Sequence, residues 1–395
     1  MNNILEHKSH RIGIDARFYG PLGKGLGRYV QEVVDNLIQI NEQQNNVDEY
    51  LIFLSPDNFD QFKTNSPRVK KKLISLRWYS WQEQLFFPGI IKKEKLDLMH
   101  FPHFNVPVFC PVPFVVTIHD LILTRFPSRR ASMLPAAIYW LKQLAYRIVI
   151  KRALHKAKKI ISVSEFTKQD IVNQFKIKAD KIVVSYEGVS HLAKNNLILS
   201  DIDVLNAYHV KKPFVLYVGN AYPHKNLESL LPLFKKLRLD YPDLSLVMIG
   251  KEDYFYNRLQ KQAQSINHEN KSLAELFIFP GYVPDEELAV FYRQALFYIF
   301  PSLYEGFGLP PLEAMSHDCP VLSSDQASLP EIMNEAAFYF NPYQTTEMEQ
   351  KVRQMIQDEA LRKDLMQKGK EQIKIYSWRD CAQQTWDIYH SVLEN

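Results

Sequence analysis

Twice along this chain an apolar, strand-like run passes through a glycine-bearing turn into a helical pattern. The first is Arg11-Ile12-Gly13-Ile14-Asp15, followed by Gly20, Gly23, Gly25 and Gly27 and a helical stretch from Arg28 to about Ile40. The second is Pro213-Phe214-Val215-Leu216-Tyr217-Val218-Gly219, followed by a helix over Leu227 to Leu239. Strand candidates at Leu51 to Leu54, Leu96 to Phe101, Phe114 to Ile118, Ile160 to Val163 and Ile182 to Val184 alternate with amphipathic helices in the first half. Leu244 to Ile249 and Leu276 to Phe279 continue the pattern in the second half. Short apolar strands separated by helices predict parallel sheets covered on both faces, so the fold class is α/β. The mid-chain restart predicts two such domains, residues 1–195 and 210–376, joined across a polar stretch between about Ser190 and Lys212.

The 395 residues, 46% of them apolar, supply core enough for two or three domains. The opening Met1 to Arg11 is polar and has no apolar secretory core. No apolar run approaches the roughly 18 residues of a spanning helix, so a cytoplasmic location is expected. Cys110, Cys319 and Cys381 are widely spaced and lack a metal-ligand pattern, which makes them free thiols. The net charge of +4 is unevenly spread. Residues 1–210 carry 29 Lys and Arg against 19 Asp and Glu, so the first half should face the more anionic partner. From Leu121 to Ser164 there is no acidic residue at all. Cations across 125–159 interleave there with Trp140, Leu144 and Tyr146. That mixture suits an anionic membrane surface or a lipid diphosphate, or is a helix with a solvated basic face. No motif supports a nucleic-acid partner.

The most specific local signal is Phe300-Pro301-Ser302-Leu303-Tyr304-Glu305-Gly306-Phe307-Gly308-Leu309-Pro310-Pro311-Leu312-Glu313-Ala314-Met315. The apolar run ending at Phe300 reads as a buried strand, the glycines admit a ligand close to the backbone, and the paired prolines pre-set a first helical turn. A helix start offers unpaired N–H groups and partial positive charge to a phosphate, while Glu305 and Glu313 can accept hydrogen bonds from hydroxyls. The plainer alternative is a loop whose glutamates only complement a helix end.

The E-G-F-G-L-P-x-L-E-A core resembles the E-x7-E motif of the retaining glycosyltransferases of family 4, which transfer a sugar from a nucleotide-diphosphate donor. The resemblance runs from Arg11 to about Ser377 and is greatest in the second half. It implies the GT-B architecture, two Rossmann-like domains facing across a cleft, with the donor on the second, the acceptor on the first, and the terminal helix 377–395 returning to the first. It places Glu305 near the donor sugar and Glu313 on the ribose, with Gly306, Phe307, Gly308 and Leu309 touching sugar or phosphates through their backbone. The members it most suggests are mannosyltransferase-like enzymes of bacterial polysaccharide and O-antigen synthesis.

Other residues take roles from the same resemblance. In Gly219-Asn220-Ala221-Tyr222-Pro223-His224-Lys225, Lys225 sits where the family's lysine stabilises the leaving diphosphate. Asn220 stands where an arginine is usual, so one cation is missing unless His224 or a basic residue of the first domain replaces it. Gly25 and Gly27 belong to a loop expected to face the donor. His119, in Thr117-Ile118-His119-Asp120, is expected beside the reacting sugar, with Asp120 orienting the loop; His100 and His103 are either acceptor contacts or part of a plain turn. Asp201-Ile202-Asp203 has the D-x-D form of metal-dependent transferases but lies in the polar join, so no metal and no cofactor beyond the donor are expected. The function expected is hexosyl transfer to a glycan or lipid-linked acceptor. The alternatives are a nucleotide-sugar epimerase or phosphorylase on the same architecture, and a catalytically silent sugar- or lipid-binding protein, which Asn220 supports best.

Overall fold

The computed structural model describes residues 9–20, 24–44, 48–126, 135–189, 200–268 and 275–394. The described residues form two compact units, one within residues 9–126, 135–188 and 377–394, the other within 189–376. Each is built on one parallel sheet. In the first unit the strands are β1 (Arg11–Asp15), β2 (Glu49–Leu54), β3 (Val69–Leu73), β4 (Leu98–Phe101), β5 (Phe114–Ile118), β6 (Lys159–Ser162) and β7 (Ile182–Val184), in the order β3-β2-β1-β4-β5-β6-β7. In the second they are β8 (Phe214–Val218), β9 (Ser245–Ile249), β10 (Phe277–Gly281), β11 (Phe297–Phe300), β12 (Val321–Ser324) and β13 (Ala337–Phe340), in the order β10-β9-β8-β11-β12-β13.

Both sheets reverse their winding in the same way. After β1 the chain builds outward through β2 and β3 before returning to place β4 on the other side of β1, and β8 and β11 repeat the move. The reversal leaves a crevice at the strands' carboxyl ends, because neighbouring loops depart toward opposite faces. The loops after β8 and β11 are therefore neighbours although about 80 residues separate them.

The strands are apolar on both faces, as a sheet with helices on both sides demands. Phe53, Phe87, Met99, Val116 and Leu154 pack in the first unit's core, and Val215, Val247, Ile299 and Leu322 are fully buried in the second. The final helix, Trp378–Leu393, belongs to the first unit and packs on the helix Lys24–Gln43. A Cβ on Gly188 would stand 2.2 Å from the backbone nitrogen of Trp378, so only glycine permits this approach.

Three local expectations change. The first helix begins by Lys24, which puts Gly25 and Gly27 inside its first turn; residues 21–23 lie outside the described residues. The polar join contains a helix, Asp201–Ala207, capped by Ser200, whose hydroxyl accepts the Asp203 N–H at 3.2 Å. Edge strand β3 reads Val-Lys-Lys-Lys-Leu and carried no apolar alternation to reveal it.

Candidate active site

The second unit's crevice is built by the loops after β8 and β11. Gly219 leaves β8 with φ +149°, and a Cβ there would lie 2.8 Å from the Tyr217 hydroxyl. Gly250, just past β9, presses on it from behind, since its Cβ would come within 2.2 Å of the Gly219 carbonyl oxygen. The Tyr217 hydroxyl donates to the Asn220 carbonyl at 2.7 Å and fixes the departing chain. A 3-10 turn, Pro223–Lys225, then delivers Lys225.

From β11, Glu305 meets that lysine. Lys225 Nζ lies 2.6 Å from Glu305 Oε1, with Lys225 12% and Glu305 10% exposed at the side chain. The ammonium also stands 5.3 Å above the Phe300 ring, an additional attraction for a partly desolvated cation. The two loops are stitched by backbone as well, the Leu303 N–H donating to the His224 carbonyl at 2.8 Å. Ser328 Oγ sits 3.1 Å from the carbonyl oxygens of both Glu305 and Phe307. Gly308 turns with φ +109° into the helix Leu309–Ser316, whose amino end follows the Glu305 loop directly. Phe307 is buried against Tyr376, so it offers this crevice backbone only. Glu313, one turn into the helix, is half-buried and accepts from the Tyr292 hydroxyl at 3.4 Å.

A partly buried cation, a carboxylate and a helix amino end around one crevice suit a ligand with both anionic and hydroxyl groups. His224 adds no charge. Burial, then the neighbouring Lys225 ammonium, push its imidazole down to about 4, so it is neutral at pH 7 and supplies no second cation beside Lys225. Asp201 points elsewhere, held by Arg293 at 2.9 Å and Gln294 at 2.8 Å. Asp201 therefore ties its helix to the helix Asp285–Gln294, while Asp203 stays with its own cap residue Ser200.

In the first unit, His119 follows β5. Its Nδ1 lies 2.8 Å from Glu187 Oε1 and its Nε2 lies 3.0 Å from the Pro102 carbonyl oxygen. Both partners are acceptors, so the ring satisfies both only when it carries both protons. Burial opposes that charge, but Glu187, through hydrogen bond and charge, and the Pro102 carbonyl outweigh it and hold the pKa above the ordinary 6.5. His119 is thus a positioned ring whose protonated form is favoured and whose two nitrogens are already engaged. Asp120 Oδ1 accepts the Ile122 N–H at 2.9 Å and shapes the same loop. His100 is not an acceptor contact: it lies within β4, fully buried, bonded to Tyr389 at 2.6 Å and Thr117 at 2.9 Å. Burial pushes both His100 and His103 down to about 3. Gly27 meets backbone, its Cβ falling 2.1 Å from the Gly20 oxygen, whereas a Cβ on Gly25 would meet open space.

Sequence reading missed Glu187, although a carboxylate just past a strand end and before a glycine was there to be noticed. It also missed a buried ionic network after β1. Arg17, 1% exposed, bonds Asp15 at 2.7 and 2.6 Å and Glu83 at 2.5 Å, and Asn105 completes Glu83 at 2.8 Å. Its members lie up to 90 residues apart, and no local pattern announces them.

Residues 23–191 match the family model described as Glycosyltransferase Family 4, and residues 205–372 match Glycosyl transferases group 1. The chain is 28% identical over 384 residues to O-antigen chain mannosyltransferase B of Escherichia coli, covering 92% of this chain and 95% of that one. Among solved structures it is similar to sucrose-phosphate synthase from Thermosynechococcus elongatus, with TM-score 0.75, 20% identity, and 98% and 99% of the two chains covered. It is also similar to HepE of Anabaena in complex with UDP and glucose, with TM-score 0.66, 16% identity, and 97% and 100% covered.

Proposed function

The chain belongs to the family 4 glycosyltransferases and has their GT-B fold, and from that premise we propose that it moves a mannosyl group from a nucleotide-diphosphate sugar to a glycan or lipid-linked acceptor. The Lys225–Glu305 pair beside the helix Leu309–Ser316 carries this reading. The second unit holds the donor: the helix amino end and Lys225 take the diphosphate, Glu305 takes sugar hydroxyls, and Glu313 takes the ribose. The first unit holds the acceptor. The mannosyl choice rests on the relatives' activity.

The transfer retains configuration by front-face displacement. The bond from the anomeric carbon to the diphosphate oxygen breaks as the acceptor oxygen bonds to the same face of that carbon. The acceptor's proton passes to the leaving phosphate oxygen. Negative charge grows on the diphosphate during this step, so a fixed ammonium lowers the barrier more than it stabilises the bound substrate. Lys225 exchanges Glu305 for the diphosphate, which also frees Glu305 to accept from the sugar. No metal is required, since Lys225 and the helix end carry the charge.

The test is calorimetric binding of UDP, GDP and ADP to the native chain, Lys225→Ala and Glu313→Ala, without and with magnesium. Selective metal-free binding, weakened at least about 10-fold by each change, supports the reading and names the donor base. Absence of binding to all three would favour the silent binding protein, the reading to which Asn220 and the neutral His224 lend weight.

A further inference from the structure

At the amino ends of β1 and β2, on the opposite edge of the first sheet from its carboxyl-end loops, three potential metal ligands converge. His10 immediately precedes β1, Asp48 immediately precedes β2, and His390 lies on the final helix. One ligand atom from each falls within 4.8 Å of the others. His10 Nδ1 is 3.4 Å from Asp48 Oδ1, and His390 Nε2 is 3.2 Å from Asp48 Oδ2. The His390 contact lies within hydrogen-bonding range, whereas the His10 Nδ1 contact is longer. With one histidine on each carboxylate oxygen, the separations are close to the edge, about 3.3 Å, of a tetrahedron with metal–ligand bonds of about 2.05 Å, which a small shift of the rings would complete.

The surroundings are those of a held site. Asp48 is fully buried. Its backbone is fixed by Asn41, whose Nδ2 donates to the Asp48 carbonyl at 3.1 Å, and its Oδ1 accepts the His10 backbone N–H at 2.9 Å. Such outer contacts orient first ligands. Two nearby polar atoms lack a hydrogen-bond partner among the described residues. His10 Nδ1 is out of reach of solvent and unbonded. The Tyr50 hydroxyl is likewise buried and unbonded, in a residue 1% exposed, and it is close enough to feel the Asp48 charge. An orphaned imidazole nitrogen and an orphaned phenol around one buried carboxylate are costly unless something accepts their lone pairs.

We propose that His10, Asp48 and His390 bind one zinc-type divalent ion, with Tyr50 or a water as the fourth ligand, and that this ion clasps the final helix to the sheet. Two imidazoles and a carboxylate favour zinc over magnesium, which prefers an all-oxygen shell. The site is structural, and it stands or falls independently of the donor site in the other unit.

The full chain, prepared without a histidine tag and stripped by chelator, is titrated with zinc alone, and bound metal is counted by mass spectrometry. The expected result is one zinc per chain, a higher melting temperature, and at least about 10-fold weaker binding in His390→Gln and in His10→Asn, both checked for folding by circular dichroism. Trp386, its ring tilted 38° against that of His390 with centroids 3.8 Å apart, supplies a second readout. Cobalt should quench its fluorescence in the native chain, while Trp386→Phe loses the signal but keeps the metal. Failure to retain zinc, or equal retention by the native chain and both histidine variants, would sink the proposal in favour of a metal-free hydrogen-bonded cluster.

Discussion

His119 shows how two fixed acceptors can set the charge of one side chain. With the Pro102 carbonyl and the Glu187 carboxylate at its two nitrogens, the ring gains a partner only as an imidazolium. An unfolded histidine titrates near 6.5, and the folded one above it. Its contribution to stability is therefore fully present below pH 6.5 and fades as pH rises through the folded value. Glu187→Gln should lower the first unit's stability by about 2 kcal/mol at pH 6, and by clearly less at pH 9. Thermal melts of both proteins at the two pH values, with nitrogen NMR of the His119 ring, check this; a pH-independent difference with a neutral ring at both pH values would overturn it. The role of Glu187 is positioning, since its partner is the histidine.

At the scale of the element, the helix Lys24–Gln43 contains two glycines with opposite demands. Gly27 abuts the Gly20 and Phe18 carbonyl oxygens, and a methyl group has nowhere to go without moving backbone. Gly25 faces open space and lies on an exposed turn. Gly27→Ala should destabilise by about 2 kcal/mol or more, whereas Gly25→Ala should stabilise by roughly 0.5–1 kcal/mol through helix propensity. Denaturant unfolding of the two variants separates them, and equal effects would contradict the packing. The strand, glycine turn and helix from Phe297 to Ser316 were legible because every cue was local: an apolar run, glycines, then paired prolines. The pairing of Lys225 with Glu305 was not, because it depends on β8 and β11 being neighbours in the sheet. The lysines of β3 and the short helix Asp201–Ala207 were hidden for a different reason, since tertiary contacts there override a polar local pattern.

At the scale of the whole molecule, the helix Ala136–Lys156 carries an apolar surface that packing in the core does not account for. On the helix Ala136–Lys156, Ile138, Trp140, Leu141, Leu144 and Ile148 are exposed beside Lys142, Arg147 and Lys151. Residues 127–134 of the basic region lie outside the described residues. Among the described residues no helix is long and apolar enough to cross a membrane. A surface of this kind fits adsorption to an anionic bilayer, with apolar side chains at the interface and cations at phosphates. The native chain should co-sediment with vesicles containing anionic lipid, and high salt or the double change Trp140→Asp, Leu141→Asp should abolish it. Binding equal to that on neutral vesicles would reduce the patch to a solvated face.

The first unit is assembled from both ends of the chain, with its last helix arriving only after residues 189–376 have been made. During synthesis at about 5–20 residues per second, the early sheet waits roughly 10–40 s for the segment that covers it. The second unit, contiguous in sequence, can mature during that interval. Vectorial synthesis therefore imposes a schedule in which the inserted unit folds first and the enclosing one closes last, leaving a nascent hydrophobic surface for chaperones to guard.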